Sequence, residues 1–114
     1  MVEVRYELYR DSELINEGEL ITTVSDIEDA FKLAFFRALE SDETTEDGYN
    51  ILLHDFVPFD HFSVTLENGK VTGFMEDWHG IQDTIEIYGF YFEDIAVFKF
   101  CIQDKKYLVV VRRK

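Results

Sequence analysis

The sequence is short of the residues that usually announce a chemistry. Its 114 residues include one cysteine, Cys101, and one proline, Pro58. A single cysteine excludes an intramolecular disulfide, and with it the cross-linked framework of a small secreted domain. Six glycines are scattered along the chain and form no phosphate-cradling loop. The N-terminus lacks the pattern of a signal peptide, and no apolar run is long enough to span a membrane, so a cytoplasmic location is expected. There is no repeat, low-complexity tract or linker, and residues 1–114 are expected to form a single domain. Bases are scarce too. Eleven Lys and Arg stand against 24 Asp and Glu, a net charge of −13.

What the chain has in abundance is aromatic side chains. It is 46% apolar, with eleven Phe and six Tyr. Each large ring buries much area, so one hydrophobic core can be filled despite the charge, and intrinsic disorder is not expected.

The pattern of apolar residues gives the elements. Val2 to Leu8 alternates apolar and polar, the period of a half-buried strand. Asp11-Ser12 permits a turn, and Leu14 to Val24 reads as a second extended segment, interrupted near Asn16-Glu17-Gly18. Ser25 with Glu28 reads as a capping box opening a helix over 26–40. In that helix Ile27, Ala30, Phe31, Ala34, Phe35 and Ala38 form the apolar stripe.

Asn68-Gly69 is a strong hairpin signal. A two-residue turn there pairs Glu67 with Lys70, Leu66 with Val71, Val64 with Gly73 and Phe62 with Met75. Thr84 to Phe92 is an aromatic-rich strand, and Gly73 and Gly89, inside strands, mark bulges or close backbone approach. Ile95–Ile102 and Tyr107–Arg112 form a second hairpin, apolar on both faces and therefore central in the sheet. The expected fold is α+β: a twisted antiparallel sheet of six or seven strands packed on one long helix, in the order β-β-α-β-β-β-β-β.

The charge is unevenly spread. Residues 1–98 carry 23 acids against five bases, a net −18, whereas residues 99–114 carry +5. Between Glu40 and Asp94 fourteen acids face only Lys70. The densest run is Ala38 to Asn50, ALESDETTEDGYN, with Glu40, Asp42, Glu43, Glu46 and Asp47. Acids following a helix C-terminus oppose its dipole, so local stability does not account for them. A solvated loop would tolerate them, and a basic partner would use them. With Asp55, Asp60, Glu76 and Asp77 they make up the candidate partner-binding set. The basic cluster Lys105, Lys106, Arg112, Arg113 and Lys114 is expected to neutralise part of the acidic body.

Candidates for catalysis are weaker. His54, His61 and His79 each lie beside carboxylates, a donor set suited to zinc, iron or manganese, but no HExxH or His-x-His spacing occurs. Glu76, Asp77 or His79 are the residues available for general acid–base work. Cys101 falls within a strand and reads as a buried small apolar residue rather than a nucleophile. Neither a cofactor, a metal nor an enzymatic activity is expected. Tyr88-Gly89-Phe90-Tyr91-Phe92 places large side chains on both faces of one strand, and Phe74 lies opposite Ser63, so faces covered by the helix and by a loop, or an exposed aromatic patch ringed by acids, are both open readings.

A field of −13 attracts basic proteins and repels nucleic acid and anionic membrane. The expected function is therefore a small acidic inhibitor that mimics DNA and blocks a basic, nucleic-acid-binding protein, in the manner of an anti-CRISPR or antirestriction protein. Two alternatives stand beside it: an immunity protein or antitoxin neutralising a basic toxin, and a small enzyme or ligand-binding domain using the histidine–carboxylate groups.

Overall fold

Alternating and aromatic-rich segments pair into one seven-stranded antiparallel sheet. The computed structural model describes residues 1–39, 62–76, 84–102 and 104–114. In chain order the elements are β1 (Val2–Arg10), β2 (Glu13–Thr22), α1 (Ile27–Leu39), β3 (Phe62–Glu67), β4 (Lys70–Glu76), β5 (Thr84–Phe92), β6 (Ile95–Ile102) and β7 (Lys105–Arg113). The strands lie in the order β2-β1-β7-β6-β5-β4-β3, which puts β6 at the centre and joins the N-terminal hairpin to the C-terminal strand. The α+β architecture, the element order and the central β6–β7 hairpin are those expected from the sequence.

Tight turns set the registers. Asn68 and Gly69 have φ of 55° and 79°, the left-handed pair that a two-residue turn matching sheet twist requires. The β3–β4 register is the expected one, from Glu67–Lys70 to Phe62–Met75. Asp11 and Ser12, at 49° and 70°, make the same kind of turn between β1 and β2. The Asp11 carboxylate accepts the Lys106 N–H at 3.0 Å, and its own N–H donates to the Lys106 carbonyl at 2.8 Å. These bonds fasten the turn to β7.

Two expectations are corrected in β2 and α1. Strand β2 is continuous through Asn16-Glu17-Gly18, and the irregularity is a register shift between Leu8 and Tyr9, opposite Asn16 and Leu14. The extra residue, Ile15, packs on the core. The helix begins at Ile27, and the Asp26 carbonyl accepts its first bond from the Ala30 N–H at 3.2 Å. Asp26 is thus the N-cap, one residue beyond the expected Ser25, and aspartate is equally suited to that position. Leu39 is the last residue of α1, and Glu40 lies outside the described residues.

One face of the sheet carries the core. Ala30, Ala34 and Ala38 are fully buried at one-turn spacing, and their small side chains let the helix lie close to the strands. Between them Phe35 stacks on Phe98, with ring centroids 4.4 Å apart, and meets Phe100 edge-on at 6.2 Å. Phe100 in turn stacks on Tyr107, its cross-strand neighbour, at 5.1 Å. On β2, the Asn16 amide donates to the Ala38 carbonyl at 3.1 Å and satisfies one of the open carbonyls of the helix end. Glycine is required where backbones crowd: a Cβ on Gly73 would strike the Ser63 carbonyl oxygen, and one on Gly89 the Val97 carbonyl oxygen. The expected close approach is therefore present at both positions.

Phe31 is fully buried in this core. Phe31→Ala should cost about 3–5 kcal/mol in urea unfolding, because a large ring leaves both lost transfer energy and a cavity. A loss under about 1 kcal/mol would contradict the packing of α1 on the sheet.

Candidate functional site

Most of the expected partner-binding set falls outside the described residues: Glu40, Asp42, Glu43, Glu46, Asp47, Asp55, Asp60 and Asp77, and with them His54, His61 and His79. Glu76 closes β4, where its backbone pairs with Thr84. Among the described residues no group of three or more His, Cys, Asp or Glu is placed to hold a metal. No helix among them is long and apolar enough to cross a membrane. The sheet face opposite α1 carries charged and aromatic side chains.

That face divides into two ends. At the β1–β2 end the alternation of the strands points Glu3, Glu7, Glu17 and Glu19 outward, with Arg5 among them. Glu7 lies directly opposite Glu17, a like-charge pair that costs stability. Local bonds moderate it. The Arg5 guanidinium contacts the Glu17 carboxylate at 3.1 Å, and the Tyr9 hydroxyl donates to Glu7 at 2.9 Å. The bond to Glu17 raises the Arg5 pKa, and the bond to Glu7 raises that of Tyr9.

The C-terminus reaches the same end. The Lys114 ammonium lies 2.7 Å from the Glu19 carboxylate, and the Lys114 N–H donates to the Glu3 carbonyl at 2.9 Å. The hydrogen bond and charge of Lys114 hold the Glu19 pKa below the usual carboxylate value. Lys114 thus acts as the sequence led one to expect of the basic cluster, by opposing the acidic body.

The other end is aromatic and carries charges of both signs, with Glu86 opposite Phe74 and Glu67 opposite Lys70. Phe74, Tyr88, Phe90 and Phe92 are 40%, 46%, 48% and 67% exposed. Of the two readings the sequence left open, the exposed patch is the one found. Lys99 is the cross-strand neighbour of Tyr88, and Lys70 that of Phe90. Val97 and Val110, paired across β6 and β7, are buried on this same face, yet they stand apart from the core cluster beneath α1. Cys101 is also exposed here, which corrects the expectation of a buried thiol. Its strand is central and apolar on both faces, but only the face bearing Phe98 and Phe100 is covered by α1.

Comparison of the chain with family models, curated proteins and solved structures gives no match.

The Glu19–Lys114 pair makes a pH prediction. Because the folded pKa of Glu19 is depressed, its contribution to stability is present above the unfolded pKa and is lost as pH falls through the folded one. In a carboxyl-detected NMR titration, Glu19 should titrate below the usual carboxylate value. In Lys114→Gln it should move back up toward that value. Added salt should shrink the difference, since the pair is exposed. An unchanged Glu19 titration in the variant would contradict the assignment.

Proposed function

We propose that this chain is a small acidic binding protein that blocks a basic, nucleic-acid-binding protein by occupying a channel built for phosphates. The observation that carries the reading is the run from Glu40 to Asp94, where fourteen carboxylates are opposed by Lys70 alone. Self-repulsion in such a run weakens the fold, so the charge is explained by what it attracts. Duplex DNA carries one charge per roughly 1.7 Å of axis. Carboxylates on alternate strand residues sit about 7 Å apart and repeat on neighbouring strands about 4.8 Å away. The β1–β2 hairpin supports the reading with this kind of spacing: Glu17 and Glu19 alternate on β2, and Glu7 faces Glu17 from β1.

The functional surface is assigned to Glu40, Asp42, Glu43, Glu46 and Asp47, continued by Asp55, Asp60, Glu76 and Asp77. No catalytic role enters this reading. The target is a protein with an excess of Lys and Arg, such as a nuclease or another DNA-binding enzyme.

Exposed charges contribute little to stability but steer encounter. With the partner captured from the native host, Asp42→Lys combined with Glu43→Lys should leave the circular-dichroism spectrum unchanged and shift stability by less than about 1 kcal/mol. The same double variant should bind at least about tenfold more slowly at low salt, and the wild-type on-rate should fall as salt is added. A salt-independent on-rate with full binding by the double variant would reject the assignment of this segment.

A further inference from the structure

The tip of the β3–β4 hairpin carries a chemically labile dipeptide. Asparagine is a thermolabile residue, because its side-chain amide can be attacked by the backbone nitrogen of the residue that follows. A side chain on that following residue crowds the nitrogen. Of the three asparagines in the chain, Asn16 precedes Glu17, Asn50 precedes Ile51, and Asn68 alone precedes a glycine, Gly69. Asn68 is exposed, so water and base reach it. Beyond its chain neighbours, a Cβ at position 69 would meet only the Tyr91 carbonyl oxygen among the described residues, at 3.6 Å, so the turn is open on that side.

We propose that Asn68-Gly69 is a site of spontaneous deamidation, gated by opening of the hairpin tip. The proposal is independent of the inhibitor reading, which rests on other residues. The Gly69 nitrogen gives up its proton to base and bonds to the Asn68 Cγ. The bond from Cγ to the side-chain nitrogen breaks, and that nitrogen leaves as ammonia. The five-membered succinimide so formed takes up water at one of its two carbonyls. Opening at Cγ leaves aspartate. Opening at the main-chain carbonyl leaves isoaspartate, in which the chain runs through Cβ and Cγ. In sum, one amide and one water become one carboxylate and one ammonium, and nothing is oxidised or reduced.

The fold holds this reaction back. Ring closure requires the Gly69 nitrogen to lie on the same side of the Asn68 Cα–C bond as Cβ. Asn68 and Gly69, with φ of 55° and 79°, form the mirror image of a type I turn. Such a turn sets ψ of its first central residue near about 30°, which points the nitrogen roughly 150° away from Cβ. The Gly69 carbonyl accepts the Tyr91 N–H at 3.0 Å and holds the turn against β5. Reaction therefore needs the tip to open. That opening is local, because the tip lies at one edge of the sheet, where β3 pairs with β4 alone among the described strands.

The isoaspartyl product does not fit the same turn. It adds one main-chain atom to a loop whose register depends on two residues. The Glu67–Lys70 pairing and the Tyr91–Gly69 bond are the contacts beside the insertion.

Peptide mass spectrometry of the full chain, incubated at mildly alkaline pH over a series of urea concentrations, tests both the site and the gate. In the unfolded chain Asn68 should be the first asparagine to convert. The folded chain should convert there at least about tenfold more slowly. Below the unfolding transition the rate should stay flat with urea, since a local opening exposes little surface, and it should rise steeply across the transition. Asn68→Gly, whose Gly-Gly suits the same turn, should show no mass gain in this peptide. In folded chain carrying isoaspartate, the Tyr91 amide should exchange with solvent faster than in the unmodified chain.

An unfolded chain in which Asn16 or Asn50 converts before Asn68 would overturn the site. Equal rates in folded and unfolded chain would overturn the gate, and a rate that climbs with urea below the transition would overturn its local character. A folded chain with no product at Asn68 after about a hundred half-lives of the unfolded reaction would overturn the site in the native protein. Tyr91 exchange unchanged by isoaspartate would overturn the disruption of the turn.

Discussion

The stacking of Phe35 on Phe98 is the contact on which the rest of the structure depends. Phe98 sits on β6, the central strand, and Phe35 comes from the middle of α1. The contact fixes which face of the sheet is the core. It draws in Phe100 edge-on and, through Phe100, the Tyr107 ring of the neighbouring strand. Ala30, Ala34 and Ala38 allow the helix to come close enough for the rings to meet. Once α1 lies on that face, the opposite face has no helix among the described residues, and its aromatic side chains are left in water. A single packing choice thus produces both the core and the exposed patch.

The exposed face has electrostatic order of its own. The turn at Asp11-Ser12 folds β2 back on β1 and brings Glu7 opposite Glu17. β7 then joins β1 to β6, which sets the apolar pair Val110 and Val97 beside the acidic hairpin. The C-terminal Lys114 closes on Glu19 and anchors its backbone to Glu3. Acidic and basic parts of the chain, far apart in sequence, therefore meet on one surface. The cost of so much negative charge is moderated there locally.

Much of this was legible in the sequence, where the determinants are local. Asn68-Gly69 requires two left-handed residues, so the β3–β4 register followed from the turn. The apolar stripe of α1 identified Phe31 and Phe35 as core residues. The helix start was displaced by one residue, because Ser25 and Asp26 are both able to cap and only the backbone decides between them. Cys101, Phe90 and Phe92 were harder, for a common reason. A strand that is apolar on both faces does not say which face a distant helix will cover. The pairing of β1 with β7 is likewise non-local and leaves no signature in either segment. The proposed partner-binding set was read from charge alone. Of it, the structure describes only the strand position of Glu76.

The central functional claim is that the carboxylates take the place of nucleic-acid phosphates. Competition tests it most directly. The captured basic partner is titrated onto labelled duplex DNA at fixed low salt, with increasing amounts of this chain. The account predicts mutually exclusive binding, with the apparent DNA affinity falling in proportion to the free chain. A ternary complex of DNA, partner and chain, formed with undiminished DNA affinity, would contradict it.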